Sequence, residues 1–102
     1  MADRDQIIVP KSTANTPSIA SAATALSANT ARAGWMIQNL GTNALFVLLG
    51  SGASTSVFHT VLKAGSVNDD GTEGSVSQFS GAVYTGIITV AGTSPRYVAT
   101  EL

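Results

Sequence analysis

Gly34-Trp35-Met36-Ile37-Gln38-Asn39-Leu40-Gly41-Thr42-Asn43-Ala44-Leu45-Phe46-Val47-Leu48-Leu49 is the stretch that decides the fold class. It holds the only Trp and the longest apolar run of the chain, and it contains no charged residue. Side chains of a strand alternate between its two faces. Trp35, Ile37 and Asn39 therefore share one face and Met36 and Gln38 the other, which predicts a half-buried strand with Trp35 and Ile37 inward. Gly and Asn tolerate positive φ, so Asn39 to Asn43 predicts a tight turn between two strands. The second strand is apolar on both faces, with Leu45, Val47 and Leu49 on one and Ala44, Phe46 and Leu48 on the other. A strand of this kind is buried on both faces. One face takes the core, and the other needs a cover, either a partner subunit or the chain's own N-terminal arm.

Working outward, Gln6-Ile7-Ile8-Val9-Pro10 is a short β-type run stopped by Pro, hence an edge strand or strand end. Lys11 to Ala33 is rich in Ala, Ser, Thr and Asn and has no aromatic residue. Ala favours a helix over Ser18 to Leu26, but Ser and Thr compete for the backbone there. The expectation is an extended arm that becomes a strand near Thr24 to Ala28. Beyond the central pair, Gly50 to Ser56 is a loop and Val57 to Leu62 a strand. Val76 to Phe79 is a weak strand, and Ala82 to Ala91 a long one, with Gly86 marking a bulge or close contact. Arg96 to Leu102 closes the chain as a strand pinned into the sheet. Short strands at regular spacing with Gly-rich turns define an all-β protein: a single antiparallel β-sandwich of about seven or eight short strands. A jelly roll is one open connectivity. The expected division is an N-terminal arm with a short edge strand over residues 1–31 and the sandwich over 32–102.

The chain of 102 residues is one domain by length. Charged residues are only 11% of it, against about 25% in a typical soluble domain. None lies between Lys11 and Arg32, between Arg32 and Lys63, or between Glu73 and Arg96. Low charge means weak repulsion between copies, which fits a surface covered in a permanent assembly. A soluble surface of Ser, Thr and Asn is the other reading. The net charge of −1 attracts neither nucleic acid nor an anionic membrane. Leu45 to Leu49 is far too short to span a bilayer, which takes about 20 apolar residues. There is no Cys, hence no disulfide framework or thiolate metal site.

Catalytic constellations are not expected. His59 is the sole His and sits within a predicted strand, and no Gly-x-Ser-x-Gly elbow occurs. Gly50-Ser51-Gly52 follows an apolar strand, but the third glycine of a dinucleotide fingerprint would fall at Thr55. Asp69, Asp70 and Glu73 are weak candidates for a hard cation, at spacings that do not match an EF-hand loop. The reading is a non-enzymatic protein with no cofactor and no small-molecule substrate. Sugar binding stays open through Trp35, Tyr84 and Tyr97, which could stack on a pyranose.

Arg32-Ala33-Gly34-Trp35-Met36-Ile37-Gln38-Asn39-Leu40-Gly41 resembles a stretch of small β-rich structural proteins of tailed bacteriophages. There a basic residue precedes an apolar strand ending in Ile-Gln-Asn, followed by a glycine turn and a second apolar strand. Lys63-Ala64-Gly65, Tyr84-Thr85-Gly86 and Val98-Ala99-Thr100-Glu101-Leu102 also resemble that pattern, so the similarity covers roughly Ala31 to Leu102. The resemblance implies a virion component, made in the host cytoplasm, and most resembles a head decoration (cement) protein. It implies a homotrimer on the capsid surface that clamps neighbouring copies of the major capsid protein and stabilises the head. Ile7, Ile8, Val9, Ile19, Leu26, Ala44, Phe46 and Leu48 are the apolar residues expected at such interfaces. A tail- or fibre-associated domain binding host glycan, or a connector or tail-completion protein, are the alternatives.

Overall fold

A computed structural model describes residues 11–15, 22–67 and 73–102. Among them the chain forms eight strands and no helix: β1 (Lys11–Asn15), β2 (Ala22–Leu26), β3 (Trp35–Asn39), β4 (Leu45–Leu49), β5 (Thr60–Leu62), β6 (Ser75–Gln78), β7 (Ile88–Ala91) and β8 (Tyr97–Glu101). They build two four-stranded sheets, one in the order β1-β8-β3-β6 and the other β2-β7-β4-β5. Every pairing is antiparallel. The pairs β4·β5, β3·β6, β2·β7 and β1·β8 are nested inside one another, like one long hairpin rolled up. This is the jelly-roll arrangement, so the β-sandwich expected from the sequence takes that connectivity.

The central stretch is not a hairpin. β3 lies in the first sheet and β4 in the second, so Leu40 to Ala44 crosses from one sheet to the other. The turn residues are as expected, but their hydrogen bonds go elsewhere: Leu40 N–H donates to Arg96 O at 2.8 Å, and Gly41 O accepts from Gly65 N–H at 3.0 Å. The two strands therefore face each other through the core rather than pairing at their edges. Trp35 and Ile37 of β3 and Tyr97 and Ala99 of β8 meet Leu45 and Val47 of β4 and Ile88 and Val90 of β7. Gly92 leaves β7 against the start of β4, where an added Cβ would stand 2.8 Å from Ala44 O.

Two other expectations change. The division at residue 31 does not describe the described part of the arm, because β1 pairs with β8 and β2 with β7 as edge strands of the same sandwich. The strand expected over Gln6 to Pro10 lies outside the described residues. The long strand over Ala82 to Ala91 shortens to Ile88–Ala91. Its first half has other hydrogen-bond partners: Tyr84 O and Gly86 O accept from Arg32, Tyr84 N–H donates to Gln78, and Thr85 O accepts from Asn29 N–H.

The cover on the second face of β4 is the chain's own β4–β5 loop. Ala53 N–H donates to Thr89 Oγ1 at 3.1 Å, and that hydroxyl donates to Gly50 O at 2.7 Å. The loop thus lies over Leu48 and Ala91, which form a small apolar cluster with Ala53. The strand expected from Val57 shrinks to Thr60–Leu62, because the backbone N–H and C=O of Val57 are both bonded to Ser54 in a turn. Phe58 meets Phe46 edge to face, with ring centroids 5.0 Å apart.

Ile37 is fully buried, whereas its neighbour Met36 points to the outer face. Ile37→Ala is expected to lower the unfolding free energy by about 3 kcal/mol through the cavity it leaves. Met36→Ala should cost under about 1 kcal/mol. Urea unfolding followed by Trp35 fluorescence measures both, and equal costs would mean the face assignment of β3 is reversed.

Candidate functional site

The ends of β3 carry the two densest polar constellations. Arg32, three residues before the strand, is 4% exposed. Its Nε donates to Glu101 Oε1 at 3.0 Å, forming a buried ion pair with the end of β8. Nη1 donates to Tyr84 O and Gly86 O, both at 3.0 Å, and Nη2 to Ser27 O at 2.7 Å. One planar fork thus ties the β2–β3 loop, the β6–β7 loop and the C-terminal strand together. At the far end, Asn39 is 1% exposed. Its Nδ2 donates to Asn43 O, Lys63 O and Leu62 O at 2.9, 3.1 and 3.3 Å, and its Oδ1 accepts Gly41 N–H at 2.9 Å. Both constellations point at backbone groups of the chain and present nothing to a substrate, so their role is structural.

The feature open to a partner is a cleft of about 230 Å³ along the side of the sandwich where β5 and β6 are the sheet edges. Trp35, Val47, Leu49 and Val76 line it together with His59, Thr60, Ser77 and Gln78. Two of these polar side chains are engaged. Gln78 Oε1 accepts from Trp35 Nε1 at 3.1 Å and from Tyr84 N–H at 2.8 Å, while Nε2 donates to Ala82 O at 3.3 Å. His59 Nδ1 accepts Leu49 N–H at 3.1 Å, and His59 N–H donates to Val47 O at 2.8 Å. The histidine thus extends the β4 ladder by one side-chain bond, and it leaves only Nε2 to face outward. No Ser or second titratable group joins it as a catalytic pair in these hydrogen bonds.

The outer face of the β2-β7-β4-β5 sheet is covered by the β4–β5 loop over Ala91, Thr89 and Leu48, and it is open at Ala22, Val61 and Phe58. Register aligns Ala22, Ala91, Phe46 and Val61 in one row across it, and Thr24, Thr89 and Leu48 in the next. Phe58 and Val61 are 39% and 43% exposed there. The outer face of the other sheet carries Met36, Gln38, Val98, Thr100, Ser75 and Ser77. None of these residues is charged. Lys63 and Arg96 stand next to the strands in sequence, beyond the ends of β5 and β8.

The expected interface residues separate accordingly. Phe46 and Leu48 lie on the outer face, Phe46 half-buried, and Ala44 is half-buried just before β4. Leu26 is packed into the core instead. Ile7, Ile8, Val9 and Ile19 lie outside the described residues, as do Asp69 and Asp70 of the acidic cluster. Glu73 is buried beside Gly74, whose backbone bonds Lys63 and Asn39. Among the described residues, no group of three or more His, Cys, Asp or Glu side chains gathers where a metal ion could be held. Trp35 is 3% exposed and Tyr97 is also buried, so neither offers a stacking platform. The Arg32 and Asn39 hubs were not anticipated, and only their position flanking an apolar strand marks them in the sequence. No family model, no curated protein and no solved structure matches this chain.

Arg32→Ala should cost about 3–5 kcal/mol, because it removes one side of a buried ion pair and leaves the carbonyls of Ser27, Tyr84 and Gly86 without their donor. Arg32→Lys should recover less than half of that, since an ammonium cannot reproduce the fork. Asn39→Asp should cost at least about 2 kcal/mol, because a carboxylate would face three carbonyl oxygens that Nδ2 now satisfies. Chemical denaturation at neutral pH reads all three, and a neutral outcome for Arg32→Lys would show that charge alone matters at this site.

Proposed function

We propose that this chain is a non-enzymatic structural protein of a bacteriophage virion, a head decoration protein that assembles with itself and clamps neighbouring capsid subunits. The observation that carries the reading is the pair of neutral outer faces on a small, internally braced sandwich. Depletion of charge with aromatic enrichment is what distinguishes the centre of a protein interface from ordinary surface. The exposed part of the β2-β7-β4-β5 face, Ala22, Val61 and Phe58 with Phe46 half-buried beside them, has that character. The likeness of Arg32 to Gly41 to the corresponding stretch of phage structural proteins supplies the choice of particle. Jelly rolls serve many functions, viral capsid and lectin domains among them, so the fold by itself adds only compatibility.

The clamp takes a different form from an arm spanning residues 2–33. Deleting that arm would remove the edge strands β1 and β2, so the reach toward a neighbour falls to the residues before Lys11 and to the outer faces. Each contact is modest, and repetition over a particle multiplies the hold. The glycan-binding alternative loses two of its three rings with the burial of Trp35 and Tyr97, while Tyr84 is half-buried with its hydroxyl donating to Ile87 O.

Particles assembled with and without the protein are the test. Those carrying it should withstand heating to a higher temperature before releasing their genome, and its absence from purified particles would overturn the reading. Phe58→Asp should cost the fold only about 1 kcal/mol, the value of one aromatic edge contact. It should nonetheless reduce co-sedimentation with particles at least tenfold.

A further inference from the structure

The cleft between β5 and β6 has the form of a receptor for one more strand. Trp35, Val47, Leu49 and Val76 line it beside Thr60 and Ser77, no charged residue does, and the amide of Gln78 and Nδ1 of His59 are already engaged within the chain. A charged occupant would find no opposite charge there. A volume of about 230 Å³ is below the roughly 300 Å³ at which small-molecule sites begin, and it suits one or two branched side chains. Edge strands invite strand addition, in which backbone bonds give affinity and alternate side chains fill pockets. β5 and β6 are both edges among the described residues.

The sequence contains one segment of matching chemistry outside the described residues, Gln6-Ile7-Ile8-Val9. It is uncharged and β-branched, and Pro10 separates it from β1. The register shows that the segment cannot lie along β6 of its own chain. Lys11 pairs with Glu101, Glu101 with Trp35, and Trp35 with Gln78 of the cleft lining. Three strand spacings put Lys11 about 14 Å from Gln78. Val9, two residues before Lys11, extends at most about 7 Å from it. The segment can be seated along β6 only in another molecule.

We propose that Gln6 to Val9 of one copy docks beside β6 of the next, with its branched side chains in the cleft over Trp35 and Val76. Each copy then gives a segment on one side and receives one on the other. Such a head-to-tail contact closes into a ring when the rotation permits, and the homotrimer of the functional reading is the ring expected here. The inference rests on the self-assembly in that reading but not on the particle. It is tested without particles, so the two fail separately.

The full chain should have the mass of a trimer by light scattering. The variant with Ile7→Asp and Ile8→Asp blocks both faces of the segment, and Val76→Arg blocks the cleft. Each alone should run as a single chain of 10.3 kDa. Mixed, they should form a 1:1 dimer, because one intact segment meets one intact cleft. A segment variant that keeps the parental mass, or a mixture that stays monomeric with both partners folded, overturns the proposal. Should Val76→Arg fail to fold, cysteine pairing decides. The chain has no cysteine, so a variant carrying Ile8→Cys and Ser77→Cys should oxidise to a covalent ladder of trimers on a non-reducing gel. Chains that stay monomeric, whether unlinked or linked within one copy, overturn it.

Discussion

The architecture depends on a guanidinium taken out of water. A buried charge is tolerated only when it is paired and its donors are satisfied. Arg32 meets both conditions with one carboxylate and three carbonyl oxygens. The carbonyls come from Ser27, Tyr84 and Gly86, in loops outside the strands, and the carboxylate comes from Glu101 at the end of β8. The arginine therefore does for two loops what a strand does for its neighbours, since it fixes their backbone groups. Asn39 repeats the device at the other end of β3 without charge, so the central strand is anchored at both ends by side chains reaching into backbone.

This bracing follows from the winding. In a rolled hairpin only β4 and β5 are joined within one sheet, and every other described connection crosses between sheets. Crossing segments lose ladder partners for several residues at a time, and buried backbone groups must be paired. β8 sits between β1 and β3 in the middle of its sheet. The first sheet is thus complete only when β8 is in place, and Arg32 with Glu101 fastens it to the entrance of β3. Pairings this distant in sequence carry a loop-closure cost before they stabilise anything, so folding is expected to be slow for the size of the chain.

Much of this was legible in the sequence. Alternation at Trp35 to Asn39 and the doubly apolar run at Leu45 to Leu49 gave the correct strands and faces, because period-two burial is a local signal. What was not legible was non-local. The turn at Asn39 to Asn43 has hairpin chemistry, yet its hydrogen bonds go to Gly65 and Arg96, so two strands read as neighbours ended in opposite sheets. β1 is Lys-Ser-Thr-Ala-Asn and has no apolar pattern; it is a strand because β8 offers an edge. Val83 and Ile87 look like strand residues, and the competing bonds of Arg32, Gln78 and Asn29 hold that segment out of the ladder. The need for a cover on β4 is legible, but its source, the β4–β5 loop, depends on Thr89, which lies 36 positions along the chain from Ala53 and 39 from Gly50. The cleft at β5 and β6 is likewise a product of winding, since its lining comes from four strands and the segment that enters β5.

The placement of charge finally constrains what kind of contact the molecule can make. Arg32 and Glu101 neutralise each other in the interior, and the residues identified on the outer faces are neutral. A partner attracted by long-range fields would need clustered surface charge, and its binding would weaken as salt screened it. Binding through these faces draws instead on shape, apolar area and backbone edges. Affinity of that origin is short-ranged and nearly indifferent to ionic strength, and it grows through the number of contacts made at once rather than the strength of any one. Repeated contacts of that kind are what the neutral described faces and the edge cleft of this braced sandwich can offer a partner.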